Sequence, residues 1–185
     1  LGLSAQTVTV TNTNDSGVGS LRRAILDANA NQAINNLVFN IPTSDPGHNS
    51  VTGVFTIAIT TSLLPEITNY VLLIDGFTQT AFTGNTNTTI FGAGGVVGVD
   101  NITLPTVNGP EIQIIDGSFT KSFEYGLWIG SPDVTIRGIA VNSFGNGWFV
   151  YNNANILVRG SARRFVLYDC VLGSQAHVDL PPSND

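Results

Sequence analysis

The sequence predicts an all-β fold of stacked parallel coils, a β-helix (solenoid) whose first coil is covered by one short helix. Three observations carry this. Short apolar runs recur between Gly, Asn, Pro and Thr corners along most of the 185 residues. Several of these runs align with one another at a repeat of 21 or 22 residues. One stretch alone, "NDSGVGSLRRAILDANAN" at residues 14–31, breaks the pattern with helical spacing.

Taken in order, "TVTVTNT" (7–13) alternates Thr and Val, the period of a half-buried strand. In the next stretch Leu21, Ala24, Ile25 and Ala28 stand at i, i+3, i+4 and i+7, the apolar stripe of an amphipathic helix. Ser20 stands before it as N-cap and Asn29 closes it. "NNLVFNI" (35–41) is a strand stopped by Pro42, and "TSDPGHNSVTG" (43–53) is a polar loop. Further strands are expected in "VFTIAITTSLL" (54–64), "YVLLIDG" (70–76), "EIQIIDG" (111–117), "YGLWIG" (125–130), "DVTIRGIAV" (133–141), "GWFVY" (147–151), "NILVRG" (155–160) and "FVLYDCVLG" (165–173). Residues 78–109, heavy in Gly, Thr and Asn, read as one irregular excursion from the coils. The chain therefore divides into an N-terminal strand and capping helix (1–34), coils (35–180), and a linker or cut end (181–185).

The repeat has two registers. "GLWIG" aligns with "GWFVY" at 21 and "DVTIRG" with "NILVRG" at 22, whereas "VTIRGIAV" (134–141) aligns with "FVLYDCVL" (165–172) at 31. The reading adopted is a coil of 21 or 22 residues, one coil being enlarged near 152–163. Such coils pair with those above and below, and their inward side chains stack in ladders. The first coil would expose an apolar cross-section and unpaired strand edges. A helix with Leu21, Ala24, Ile25 and Ala28 on one face and Arg22, Arg23 and Asp27 on the other would serve as its lid.

Composition limits function. Charged residues are 11% against the usual quarter, and 42% are apolar, the opposite of the balance that keeps chains disordered. A net charge of -6 with seven basic residues does not make a nucleic-acid footprint. No run of 18 apolar residues is present to span a membrane. The sequence has no methionine, even at position 1, which suggests a processed or excised piece of a longer polypeptide. Its opening "LGLSAQ" resembles the tail of a secretory signal and hints at export.

"TVTVTNTNDSGVGSLRRAILDANAN" resembles the N-terminal motif of large secreted bacterial proteins built on right-handed parallel β-helices, in which a "DSGxGSLRxAIxxAN" element precedes the coils. The likeness continues in "LLPEITNYVLLIDGFTQ" (63–79), "EIQIIDGS" (111–118) and "GLWIGSPDVTIRGIAVNSFGNG" (126–147). It implies a right-handed parallel β-helix. It also implies a surface or adhesin-like role, as in some adhesins of gliding bacteria, with export to the surface of a Gram-negative cell. Residues 78–109 and the insertion near Asn152 depart from the pattern.

The rival class is a β-helix enzyme acting on acidic polysaccharides. A glycosidase needs two facing carboxylates, and a lyase needs a base beside a calcium-binding acidic cluster. Asp75 and Asp116, each in an "I-D-G" corner, are the candidates for a stacked carboxylate pair or a Ca2+ site, and Asp-Gly turn chemistry is the plainer reading. No catalytic residue and no cofactor beyond that Ca2+ candidate is expected. His48 and His177 read as loop residues, and Cys170 as a small core residue. Arg137 and Arg159 are expected to stack one above the other, with Asp133 or Asp169 nearby.

Aromatic placement is the more suggestive feature. Alternation in "GLWIG" and "GWFVY" sends Trp128, Phe149 and Tyr151 outward at spacing 21, as a platform for sugar rings or a partner protein unless a loop covers it. The expected function is a non-catalytic N-terminal module of an exported surface adhesin, its partners being surface glycans or another surface or secretion protein. The alternatives are the first part of a polysaccharide lyase or glycoside hydrolase, and a docking element for secretion or motility machinery.

Overall fold

Thr-Val alternation at the N-terminus builds β1 (Gln6–Val10), which turns Val8 and Val10 inward. The computed structural model describes residues 5–92, 94–145 and 152–177. They are mostly strand with two short helices. After β1 come α1 (Leu21–Ala30), β2 (Ile34–Phe39), β3 (Phe55–Ile59), β4 (Leu73–Asp75) and α2 (Phe77–Thr83). Four two-residue strands follow: β5 (Ile90–Phe91), β6 (Val96–Val97), β7 (Ile102–Thr103) and β8 (Val107–Asn108). The remainder is β9 (Ile112–Asp116), β10 (Tyr125–Ile129), β11 (Thr135–Arg137), β12 (Ile139–Asn142), β13 (Ala154–Val158), β14 (Val166–Tyr168) and β15 (Val171–Leu172).

Three sheets of parallel strands enclose one core. Their orders are β1-β2-β4-β11-β14, β3-β9-β12-β15 and β10-β13, and a parallel bridge from Ile67 to Ile129 extends the third. Inward positions carry Leu37, Phe39, Ile57, Ile74, Ile114, Leu127, Ile136 and Val141, all buried. Successive passes of the chain therefore bury one continuous apolar column, which is the main source of stability in such a stack.

The two ends of this column differ. At the first pass α1 lies over β1 and β2 and buries Leu21, Ala24, Ile25 and Ala28. The Ser20 hydroxyl oxygen accepts from the Arg23 N–H at 3.2 Å and starts the helix. The helix runs one residue beyond Asn29 and is capped at Asn31, because the Asn29 side chain is spent elsewhere, on the Glu66 carbonyl and the Thr68 N–H. At the last pass the inward residues Ile156, Phe165, Leu167 and Cys170 pack on the core yet are only partly buried.

Two expectations are corrected. The repeat of 21 or 22 residues is not the pairing register. Thr135 pairs with Val166 and Ala140 with Val171, both 31 residues on, and Leu127 pairs with Ile156, 29 residues on. The shorter register arose because "DVTIRGIAV" and "FVLYDCVLG" each look like one strand but hold two, belonging to different sheets. The corner between them is made by Gly138 at φ 65° and Asp169 at φ 51°, stacked through a Gly138 N–H to Asp169 carbonyl bond of 3.1 Å. The "TIRG" and "LVRG" segments likewise sit on different sheets.

Residues 78–109 are also more ordered than expected. They carry α2, an antiparallel β5–β8 pair and, beyond it, an antiparallel β6–β7 pair. The chain thus has two helices rather than one. Gly76 allows α2 to start directly after β4, since a Cβ there would meet the Gly138 carbonyl oxygen at 2.0 Å.

Candidate functional site

Strand alternation decides what the five-stranded sheet presents outward. With Val10, Leu37, Phe39, Ile74 and Ile136 pointing into the core, the other set faces away from it. Thr9, Val38, Asp75, Arg137 and Tyr168 are successive register partners, forming one outward column across β1, β2, β4, β11 and β14.

An ion pair lies at the centre of this column. The Arg137 Nε and Nη2 groups donate to the two Asp75 carboxylate oxygens at 2.8 and 2.6 Å, and Nη1 donates to the Tyr168 hydroxyl at 2.9 Å. The Asp75 hydrogen bonds, with help from Tyr168, push the Arg137 pKa above its ordinary value. The same guanidinium lies 5.6 Å from the Phe77 ring centroid and 5.9 Å from that of Tyr168. One arginine therefore holds an acid and two aromatic rings in fixed relation.

The helix α2 is pinned beside this column. Asp75 accepts the Phe77 N–H at 3.1 Å, and the Thr78 hydroxyl donates to the Asp75 carbonyl while accepting the Phe39 N–H. The Gln79 side chain is buried and exchanges bonds with the Ile41 backbone at 2.9 and 2.8 Å. Phe82, on the same helix, borders a shallow groove of about 330 Å³ with Thr9, Val38 and Asn40.

The residues singled out from sequence are distributed differently. Trp128 on β10 is half-buried, meets Tyr125 edge-on at 5.6 Å, and pairs across the sheet with Leu157. Its spacing of 21 to the next aromatic run is therefore not a neighbour relation, and its indole N–H is buried with no hydrogen-bond partner. Phe149 and Tyr151 lie outside the described residues. Asp75 and Asp116 do not stack, because β4 and β9 belong to different sheets. Asp116 instead accepts from the Ser118 N–H at 2.8 Å, the Ser118 hydroxyl and the Phe123 N–H at 2.9 Å, which is turn chemistry. Among the described residues no three His, Cys, Asp or Glu side chains come together in a group that would hold a metal ion.

Arg159 does not stack on Arg137; its side chain donates to Asn152 and its N–H to the Ile129 carbonyl. Asp133 pairs with Arg164, leaving Asp75 as the partner of Arg137. His48 stacks on Phe55 at 4.4 Å and contacts the Thr43 carbonyl through Nδ1. His177 is half-buried, and its carbonyl accepts from the Thr89 hydroxyl. Burial pushes the Cys170 thiol pKa up, consistent with a packed, unreactive side chain.

Sequence reading missed Phe77, Phe82 and Tyr168. The register of 31 was the signal that sets Tyr168 above Arg137, whereas nothing local marks α2 as a helix. With Asp75 engaged through both oxygens, the face is arranged for binding rather than for proton transfer. No family model, curated protein or solved structure matches the chain.

Proposed function

We propose that the chain is the capped first part of a right-handed parallel β-helix, and that it serves as a non-catalytic module of a large exported surface adhesin. The difference between the two ends carries this reading. The first pass is closed by α1, while at the last pass Ile156, Phe165 and Leu167 pack inward only partly buried. That geometry supports continuation by further coils of the same polypeptide, which would bury these residues and pair the open strand edges. The resemblance of the α1 segment to the capping motif of large secreted proteins points the same way.

Adhesion, including a role in gliding-type motility, is favoured over catalysis by how the acids are spent. Asp75 is held by Arg137, Asp133 by Arg164 and Asp116 by its own turn. A lyase or hydrolase would need an acid left free to move a proton. The test is an array of neutral and acidic glycans probed with the purified chain, with and without calcium, while turnover of any bound polymer is followed. Saturable binding without cleavage supports the adhesin module. Cleavage would overturn it in favour of the enzyme reading.

A further inference from the structure

Resting on that reading, we infer that the outward column of the five-stranded sheet, flanked by Phe82, Phe77 and Tyr168, binds an uncharged polysaccharide lying along the stack of strands. Three observations converge on this ligand class. The first is spacing. Neighbouring strands lie about 4.8 Å apart, so five in parallel span about 19 Å. Each strand step is close to the length of one pyranose unit in an extended glycan, and side chains in the column repeat at that interval.

The second is chemistry. Phe82 borders the column at Val38, Phe77 at Gly138 and Arg137, and Tyr168 ends it, so the three rings are spread along the strand-to-strand direction. They are 52%, 38% and 40% exposed. Pyranose rings have C–H faces that lose unfavourable hydration against such rings, and hydroxyls that need donors and acceptors at their edge. Thr9, Asn40 and the Tyr168 hydroxyl lie beside the rings to supply these. Arg137 immobilises Phe77 and Tyr168 before any ligand arrives, which reduces the ordering cost of binding.

The third is charge. The column carries one acid and one base, Asp75 and Arg137, and they neutralise each other. The chain as a whole has a net charge of -6. A uronic acid polymer would meet general repulsion and no spare cation on this face, whereas a neutral glycan pays no such cost.

The experiment is calorimetric titration of the full chain with cellohexaose, laminarihexaose and chitohexaose as neutral probes and hexagalacturonic acid as the acidic one. At least one neutral hexasaccharide should bind saturably and more tightly than the acid. Phe82→Ala and Tyr168→Ala should each weaken it about tenfold or more. Tyr168→Phe should weaken it less, and Trp128→Ala not at all. Phe82 is exposed on α2, so its variant keeps the test valid if Tyr168→Ala unfolds the last pass. Preference for the acidic probe overturns the inference. Neutral binding that survives both alanine variants, or that follows Trp128→Ala, overturns it while leaving the adhesin reading intact. Silence with all four probes also overturns it, and the wider array then decides the adhesin reading separately.

Discussion

Arg137 on β11 grips Asp75, its register partner on β4, through two parallel hydrogen bonds of 2.8 and 2.6 Å. The two ends of this pair sit in different surroundings: the Asp75 side chain is 9% exposed and that of Arg137 is 32% exposed. A buried carboxylate stripped of its partner keeps its desolvation cost, while a freed arginine can turn to water. Arg137→Gln should therefore cost about 2 to 3 kcal/mol and Asp75→Asn only about 1 kcal/mol. Arg137→Lys should fall between, because an ammonium cannot reproduce the paired geometry. Urea denaturation of the three variants checks this, and equal losses would refute the asymmetry.

The lid predicts a second ordering of losses. Ile25 is fully buried under α1, so Ile25→Ala should cost about 2 to 4 kcal/mol through lost contacts and a cavity. Ser20→Ala removes the N-cap acceptor and should cost about 1 kcal/mol. Arg23→Ala breaks only a solvent-exposed pair with Asp27 and should cost under about 0.5 kcal/mol. If α1 were merely an appendage, Ile25→Ala would leave the main unfolding transition in place.

Asp15 ties the segment before α1 to the corner after β3. One carboxylate oxygen meets Arg22 at 2.6 Å, and the other accepts from the N–H and hydroxyl groups of Thr60 and Thr61 at 2.7 to 3.2 Å. Burial works to raise its pKa, but the Arg22 and threonine hydrogen bonds outweigh burial and hold it at about 2, below the ordinary 3.8. A folded value below the unfolded one contributes stability that is present above pH 3.8 and lost as pH falls toward 2. Asp15→Asn should lower the melting temperature at neutral pH and flatten the acid limb between these values, as thermal melts across that range would read out.

These sites also show what a sequence displays and what it hides. The α1 stripe was legible because its four buried residues are neighbours within two turns, and the N-cap is adjacent. The strands were legible as apolar runs, but their register was not, because Gly138 and Asp169 turn corners inside runs that read as continuous. Asp15 meets Thr60 and Thr61 only after a whole pass of chain has closed, so no local spacing announces it. For the same reason the face built by Arg137, Phe77 and Tyr168 is visible only once three passes are stacked, while Trp128 stood out by residue type and turned out half-buried.

Glu111 sets the opposite pH trend from Asp15. It lies at the start of β9, is 3% exposed, and accepts from the Thr80 hydroxyl of α2, with no Lys or Arg paired to it among the described residues. Burial pushes its pKa up, and the hydrogen bonds from Thr80 and nearby backbone offset this only in part. A folded value above the unfolded 4.5 favours the protonated form, so its contribution is fully present below that pH and lost as pH rises through the folded value. Glu111→Gln keeps an acceptor for Thr80 and removes the charge. The variant should match the parent near pH 4, melt at a higher temperature near pH 8, and lose the parent's decline between the two. Melting curves over that range decide it. An unchanged decline would mean that another group governs how the excursion holds to β9, and a variant less stable at both ends would mean that the carboxylate is better solvated than its burial implies.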